Sequence, residues 1–191
     1  MSNDRAEKKR SRTRHLGLRD PSPWVRRFAG RVPAGGRVLD LACGGGRHTR
    51  LFLELGHPVL AMDRDIAWIA DLAGRPDLES LEVDLEDGRP FPLAGQRFAG
   101  VVVTNYLYRP HLPALIESVA PDGVLIYETF ARGNERFGRP SNPDHLLEAG
   151  ELLEAVRGSL RILAYEDLDV ERPKPAAVQR ICALREDPGR S

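Results

Sequence analysis

Residues 38–47 have the sequence Val-Leu-Asp-Leu-Ala-Cys-Gly-Gly-Gly-Arg, an apolar segment that leads into three consecutive glycines. The apolar part, 38–42, has the length and composition of a buried β-strand. Glycines after a strand permit a tight turn, and a ligand can then lie directly against the backbone. In open α/β sheets, ligands bind beyond the carboxyl ends of the strands. The stretch therefore predicts a strand that ends in a ligand-binding turn.

Strand-like and helix-like segments alternate on the carboxyl side of this turn. Short apolar runs predict strands at residues 59–62, 81–84, 98–104 and 124–127. Helical patterns lie between or after them at residues 49–55, 66–72, 112–119 and 145–156. This order predicts an α/β fold with a Rossmann-like, doubly wound and mostly parallel sheet.

The end of the chain departs from the alternation. Residues 160–170 and 176–184 both have strand patterns. The link between them contains Arg172-Pro173-Lys174-Pro175 and is too short for a helix. Parallel neighbours need a crossover of a dozen or more residues, so these two segments should pair antiparallel. The sequence thus predicts seven strands, with an antiparallel C-terminal β-hairpin.

Composition and charge restrict the class of protein. The 191 residues include 41% hydrophobic and 29% charged residues, and 28 basic residues balance 28 acidic ones. These values predict a single globular domain at 21–191, with no membrane span and a cytoplasmic location. The two cysteines and five histidines are scattered, so neither a disulfide framework nor a metal site is predicted.

Residues 1–20 form a basic arm of low apolar content. Its basic residues are Arg5, Lys8, Lys9, Arg10, Arg12 and Arg14. A solvated, flexible tail is the favoured interpretation. The alternative is an arm that contacts phosphates, of nucleic acid or of another acidic partner.

An acidic residue completes a nucleoside-binding pattern. Asp63 ends the second predicted strand, 17 residues after Gly46, and an acid there can accept both hydroxyls of a ribose. Thr49 stands where the dinucleotide fingerprint G-x-G-x-x-G has its last glycine. Asp40 would repel a pyrophosphate, but it suits an ammonium group. The residues therefore favour S-adenosylmethionine, which carries an ammonium and no phosphate, over a dinucleotide.

Residues 38–63 resemble the first two motifs of class I S-adenosylmethionine-dependent methyltransferases, and the resemblance extends over about 37–185. The predicted antiparallel last strand is also a mark of that fold. The segment Cys43-Gly44-Gly45-Gly46-Arg47-His48 is similar to the small bacterial tellurite-resistance methyltransferases. Ala42 departs from the pattern, because many members have the first glycine of the loop there. Alanine is small, and we expect the change to be tolerated.

The resemblance implies a set of cofactor contacts. Asp40 and the turn backbone at Ala42, Cys43, Gly44 and Gly46 would face the methionine part, and Thr104 would line the same end. Asp63 would hold the ribose. Arg64, Asp84 and Leu85 would lie at the adenine. Each acid also has a simpler explanation as a cap or a solvated strand or loop residue.

The acceptor side is predicted beyond the fourth and fifth strands. The candidate catalytic or orienting residues there are Asn105, Tyr106, Tyr127 and Glu128. A long loop over 127–143 offers Asn134, Arg136 and Arg139 as candidate substrate contacts. The alternative is a self-packed loop in which the arginines pair with Glu128 and Glu135.

The function that follows is methyl transfer from S-adenosylmethionine to a small-molecule acceptor by in-line displacement. Three alternatives remain open: methylation of RNA or protein, a dehydrogenase-type nucleotide-binding module, and a cofactor-binding protein without catalysis. The sequence sets neither the accepting atom nor the oligomeric state.

Overall fold

A computed structural model of the protein describes residues 20–187 and 189. The predicted basic arm lies outside the described residues, apart from Asp20 at its end. The strands are β1 (Val38–Leu41), β2 (Val59–Asp63), β3 (Leu78–Glu82), β4 (Phe98–Thr104), β5 (Val119–Phe130), β6 (Arg161–Val170) and β7 (Ala176–Leu184). The α-helices are α1 (Pro23–Ala29), α2 (Arg47–Glu54), α3 (Leu112–Glu117) and α4 (Glu151–Val156). Short 3-10 helices lie at Ile66–Leu72, Arg109–His111, Asn134–Arg136 and Pro143–His145.

The seven strands form one sheet in the order β3-β2-β1-β4-β5-β7-β6. The first five strands in that order pair parallel, whereas β7 pairs antiparallel with both β5 and β6. The predicted Rossmann-like sheet with an antiparallel C-terminal hairpin is therefore confirmed. The hairpin places its second strand, β7, against β5, so β6 becomes the edge of the sheet.

The register of the parallel strands aligns their carboxyl ends. Leu41 of β1 is level with Met62 of β2 and with Val103 of β4. Val103 is in turn level with Tyr127 of β5. The residues that follow in each strand therefore meet at one edge of the sheet. That edge is where parallel α/β sheets bind ligands.

Apolar residues cover both faces of the sheet. Trp24, Phe28 and Phe52 pack on one face, in a cluster that includes Val38 and Val102. The opposite face buries a larger cluster built from β4, β5, α3 and α4. The central strands are buried on both sides, which explains their nearly continuous apolar sequence. No helix among the described residues has the length and apolarity that a membrane span requires.

Several predicted elements differ in detail. The strand predicted over 81–84 lies at Leu78–Glu82, so Asp84 follows the strand instead of ending it. Ile66–Leu72 is a 3-10 helix, and Ile69 within it has non-helical angles. The helix predicted over 145–156 is regular only at Glu151–Val156, because Gly150 adopts φ 74° and begins a new segment there. Strand β5 continues to Phe130, so the predicted loop over 127–143 starts only after four of its residues have paired in the sheet.

Candidate functional site

The turn after β1 consists of alternating left-handed residues. Ala42, Gly44 and Gly46 have φ values of 54°, 53° and 70°. A Cβ on Gly46 would lie 2.4 Å from Cγ2 of Ile69, so only glycine fits there. Ala42 occupies a conformation that costs an L-residue about 1–2 kcal/mol, which is why glycine is the usual residue at its position. Among the described residues, the other non-glycine residues with positive φ are Asn105, at the end of β4, and Asp122.

Asp63 connects the end of β2 to this turn. Its Oδ2 accepts a hydrogen bond from the Gly44 N–H at 2.8 Å, and its Oδ1 accepts one from the Asp65 N–H at 3.1 Å. The Cys43 N–H donates to the carbonyl of Met62 at 2.9 Å. Each carboxylate oxygen of Asp63 still has a second lone pair. The partly buried carboxylate can therefore brace the turn and accept ribose hydroxyls at the same time.

Asp40 is nearly inaccessible, with 1% of its surface exposed. Its Oδ2 accepts a 2.6 Å hydrogen bond from the Thr49 hydroxyl, which joins β1 to the first turn of α2. Burial raises the pKa of the Asp40 carboxyl to about 6, although the bonds from Thr49 and the charge of Arg47 oppose the rise. With that pKa the carboxyl is mostly ionised at pH 7, two residues before the turn begins. A direct contact with a ligand ammonium stays a prediction.

The end of β4 carries two unusual residues. Asn105 is exposed and has φ 56°, and its N–H donates to the carbonyl of Glu128 at 2.9 Å. The hydroxyl of Tyr106 is buried and has no hydrogen-bond partner within the described chain. Burial and the charges of Glu86 and Asp84 raise the pKa of Tyr106 above its usual range. A buried hydroxyl without a partner is costly, and a bound polar ligand would remove that cost.

The predicted adenine side lies at the ends of β2 and β3. The Val83 N–H donates to the carbonyl of Asp63 at 2.9 Å, which holds the two strand ends together. Asp84 is exposed and its Oδ1 accepts from the Glu86 N–H, while Leu85 is 6% exposed and Arg64 lies in solvent. The structure brings these residues to the same edge as Asp63. Their contacts with an adenine stay predictions.

Tyr127 and Glu128, two of the candidate catalytic residues, are already engaged. Tyr127 is 1% exposed and its hydroxyl donates to the carbonyl of Tyr106 at 2.8 Å. The Glu128 carboxylate accepts from the Ser22 hydroxyl at 2.8 Å and from the Arg180 guanidinium at 3.2 Å. The position of Tyr127 fits a residue that holds Tyr106 in place rather than one that touches an acceptor. These tertiary partners are not visible in the local sequence.

Two candidate substrate residues of the loop, Asn134 and Arg136, are bound to the loop and to strands β6 and β7. Asn134 is 1% exposed, and its side chain donates to the carbonyl of Pro140 at 2.8 Å and accepts from the Ala177 N–H at 3.3 Å. Arg136 binds both carboxylate oxygens of Asp169, at 2.7 and 2.8 Å. This geometry supports the self-packed alternative, with Asp169 as the partner of Arg136 in place of Glu128 or Glu135. Arg139 is exposed.

The contacts of the residues before α1 with the strand-end residues were not predicted. The Ser22 N–H donates to Nε2 of His48 at 3.1 Å, and the Ser22 hydroxyl binds Glu128. Arg47 donates to the carbonyl of Asp20 at 3.3 Å and lies 3.5 Å from the Thr104 hydroxyl. Ser22 before Pro23 is recognisable as a helix cap, but a cap does not reveal its long-range partners. These contacts close one side of the crevice.

Two reactive side chains near the turn are inert in this setting. Burial lowers the pKa of His48 to about 3, so the imidazole is neutral at pH 7 and its Nε2 is occupied by Ser22. Burial raises the pKa of the Cys43 thiol far above its ordinary value, which removes its nucleophilic form. Across residues 20–187, no group of three or more His, Cys, Asp or Glu side chains is arranged to hold a metal ion.

A separate cavity of about 590 Å³ lies at the opposite edge of the sheet. Arg97 before β4, Arg161 at the start of β6 and Arg185 after β7 contribute to its lining. All three lie at the edge of the sheet where the parallel strands begin, away from the glycine turn. The cavity is therefore distinct from the candidate site.

No protein-family model matches the chain, and no curated protein sequence matches it significantly. Solved structures do match. TehB from Haemophilus influenzae aligns with a TM-score of 0.67 and 18% identity over 84% of this chain, which spans only 61% of that protein. A TehB-like SAM-dependent methyltransferase from Corynebacterium glutamicum aligns with a TM-score of 0.63 and 20% identity, over 96% of this chain and 99% of that one.

A third match was solved with ligands. The 1,6-didemethyltoxoflavin-N1-methyltransferase from Burkholderia thailandensis has 1,6-didemethyltoxoflavin and S-adenosylhomocysteine bound. It aligns with a TM-score of 0.64 and 22% identity, over 86% of this chain and 77% of that one. The chain thus has the fold of the S-adenosylmethionine-dependent methyltransferases, and the predicted likeness to the TehB-like group is confirmed for the fold.

Proposed function

We propose that this chain is an S-adenosylmethionine-dependent methyltransferase with a small-molecule acceptor. One observation carries the proposal. The left-handed turn over Ala42–Gly46 is fastened by the Gly44 N–H to the carboxylate of Asp63, at the carboxyl edge of a parallel sheet. A bare backbone turn beside a strand-end carboxylate is suited to a nucleoside with an attached chain.

The residues present fit the cofactor. Asp63 has lone pairs for the ribose, and Asp84 and Leu85 lie at the adjacent strand end for the adenine. Tyr106 has a buried hydroxyl that lacks a partner, and a polar ligand group would supply one. S-adenosylmethionine, when bound, supplies a sulfonium-activated methyl group. The buried charge of Asp40 favours such a cation and disfavours a pyrophosphate.

The protein's part in the reaction is to position the acceptor. In-line displacement at an activated methyl gains most from holding nucleophile and methyl at close range. Asn105 and Tyr106 follow β4 at the crevice, and Tyr127 fixes the Tyr106 backbone. Glu128 would lose part of its binding to Ser22 and Arg180 if it took a proton. An acceptor that arrives as a free amine, thiolate or other ready nucleophile suits this site best.

A small acceptor is supported by the closure of the site. Ser22 and Asp20 bind residues of α2 and β5 across one side of the crevice. On another side, Arg109 binds Glu151 at 2.7 Å and the carbonyls of Asp144 and Leu146, which fixes the segment before α4. The toxoflavin methyltransferase with the same fold has a small heterocycle bound. By analogy, we infer a small molecule in this chain too.

Calorimetry on the purified chain tests the proposal, with S-adenosylmethionine, S-adenosylhomocysteine and NAD as separate titrants. We expect micromolar binding of the first two ligands and none of NAD. Binding of NAD alone would replace the proposal with a dehydrogenase-type module.

Labelled S-adenosylmethionine then identifies the acceptor class in extract fractions separated into small molecules, RNA and protein. We expect label in the small-molecule fraction. Label confined to RNA or protein would support the second function, and binding without any transfer would indicate a non-catalytic cofactor protein. Asp63→Ala should reduce the labelling at limiting cofactor, whereas Glu79→Ala, at an exposed acid that pairs with Arg37, should not.

A further inference from the structure

Arg109 joins two segments that lie far apart in the sequence. It is the first residue of the 3-10 helix that follows β4. Its Nε and Nη2 donate to the two carboxylate oxygens of Glu151 at 2.7 and 2.9 Å. Its Nη1 donates to the carbonyl of Asp144 at 2.7 Å, and its Nη2 also donates to the carbonyl of Leu146 at 2.8 Å. A single guanidinium therefore holds the whole segment 144–151.

The segment 144–151 is also attached to the end of β5. The Leu147 N–H donates to the carbonyl of Phe130 at 2.9 Å, and the Leu147 side chain is fully buried. The loop over 131–143 thus leaves β5 and returns beside it. Its returning end is fastened to the segment after β4 by the Arg109 guanidinium.

The ion pair between Arg109 and Glu151 is partly shielded from solvent. The two side chains are 37% and 20% exposed. Partial burial opposes ionisation of Glu151, but the hydrogen bonds from Arg109 and from the Glu148 N–H lower the pKa of Glu151 below its ordinary value. The pair therefore stays charged at neutral pH. A two-pronged bond between charged groups fixes direction as well as distance.

Arg157 provides a contrast within the same region. It pairs with Glu154 of α4, three positions away, and both side chains are largely exposed. Such a pair contributes little to the structure. The partners of Arg109 lie 35 to 42 positions away. A lysine could not replace it, because one ammonium cannot hold a carboxylate and two carbonyls in this planar arrangement.

We propose that Arg109 is a positioning residue for the methyl acceptor, an inference that rests on the proposed function. Asn105 and Tyr106 stand between β4 and Arg109, and the loop over 131–143 directly precedes its partners. The guanidinium therefore sets the spacing between the two parts of the chain that flank the proposed acceptor position. Methyl transfer depends steeply on that spacing, because a displacement of about 1 Å can cost about 100-fold in rate. Arg109 acts through the backbone and does not touch the acceptor.

The experiment compares the Arg109→Gln, Arg109→Lys and Arg157→Gln variants with the wild type. Calorimetry measures the affinity of each protein for S-adenosylhomocysteine. Labelled S-adenosylmethionine measures the rate of methyl transfer at increasing amounts of a small-molecule extract fraction. Hydrogen exchange, without ligand, measures the local opening of each segment. Arg157→Gln is the matched control, because it also removes one arginine–glutamate pair at α4.

Arg109→Gln should transfer methyl about 10- to 100-fold more slowly at limiting acceptor, because the acceptor is no longer held at the right distance. Its affinity for S-adenosylhomocysteine should change less than about 3-fold. Hydrogen exchange should become faster at 105–111 and at 144–151 and stay unchanged in β1 and β2. Arg109→Lys keeps the charge without the planar geometry, so it should recover only a minor part of the lost rate. Arg157→Gln should match the wild type throughout.

Four results would overturn the proposal. A wild-type rate in Arg109→Gln would show that the spacing does not depend on this residue. A loss of cofactor affinity as large as the loss of rate, or faster exchange throughout the sheet, would show that Arg109 supports the fold alone. Full recovery in Arg109→Lys would show that the charge and not the planar geometry matters.

Two further comparisons separate these results from other failures. Glu151→Gln removes the charge from the other side of the pair, and it should show the same pattern as Arg109→Gln and replaces that variant if it does not fold. A wild type that transfers no methyl to the fraction would contradict the proposed function, and an acceptor role for Arg109 with it. Exchange at 105–111 and 144–151 would then decide alone whether Arg109 joins the two segments.

Discussion

Replacing Asp40 with Asn should make the ligand-free protein more stable at neutral pH. The Asp40 carboxyl is buried, and burial raises its pKa from 3.8 to about 6. Above pH 6 the carboxyl is ionised in both the folded and the unfolded chain, and the folded state bears the cost of the buried charge. A pKa difference of about two pH units corresponds to a cost of about 3 kcal/mol. Below pH 3.8 the group is protonated in both states and the cost disappears.

The sign of this effect sets the pH range of the experiment. As pH rises from about 4 to about 6, Asp40 ionises first in the unfolded chain, so its contribution to folding stability falls. The isosteric amide of Asn keeps the size of the side chain and can still bond to Thr49. The free energy of unfolding of Asp40→Asn should therefore equal that of the wild type near pH 4 and exceed it by up to about 3 kcal/mol at pH 7.5.

Urea unfolding at pH 4, 5, 6 and 7.5 measures the difference between the two proteins. Asp71→Asn, at an exposed acid paired with Arg50, is the control and should show no comparable gain at neutral pH. A difference between Asp40→Asn and the wild type that is constant over this range would refute the reasoning. The same variant should bind S-adenosylmethionine more weakly, because it lacks the negative charge below the turn.

Three further substitutions give measurable outcomes. Tyr106→Phe should raise the free energy of unfolding of the ligand-free protein by about 1 kcal/mol, because the buried Tyr106 hydroxyl has no partner in the described chain. The same variant should bind S-adenosylhomocysteine several-fold more weakly in calorimetry. A less stable variant with unchanged affinity would contradict this reasoning. Asp63→Ala should weaken cofactor binding by about 1–3 kcal/mol in calorimetry, and full affinity in a folded variant would remove Asp63 from the site. Ala42→Gly should change stability by less than about 1 kcal/mol, whereas Ala42→Val should lower it by more than that, since φ is 54° there. Equal unfolding midpoints for the two Ala42 variants would show that this strain is unimportant.

The sheet was predictable because its signals are local. The apolar runs of β1 and β4, the glycine cluster and the short link before β7 each restrict the chain within a few residues. The turn was also predictable from its glycines, whereas the left-handed angle of Ala42 was not predicted. The ends of the strands were harder to predict from the sequence. Strand β5 continues through Phe130 because it pairs with β7, which lies far along the chain.

The site was predictable only on its cofactor side. Asp63 and the turn meet because parallel strands end at one edge, and that follows from topology. The engagement of Tyr127 with Tyr106, of Glu128 with Ser22 and Arg180, and of Asn134 with Ala177 depends on long-range packing.

A crystal structure of the chain grown with S-adenosylhomocysteine tests the central claim most directly. We expect density for the ligand over the Ala42–Gly46 turn, with the ribose hydroxyls within hydrogen-bond distance of Asp63 and the amino-acid end beside Thr104. An empty turn at saturating ligand, or a crevice filled by the protein's own side chains, would contradict the account.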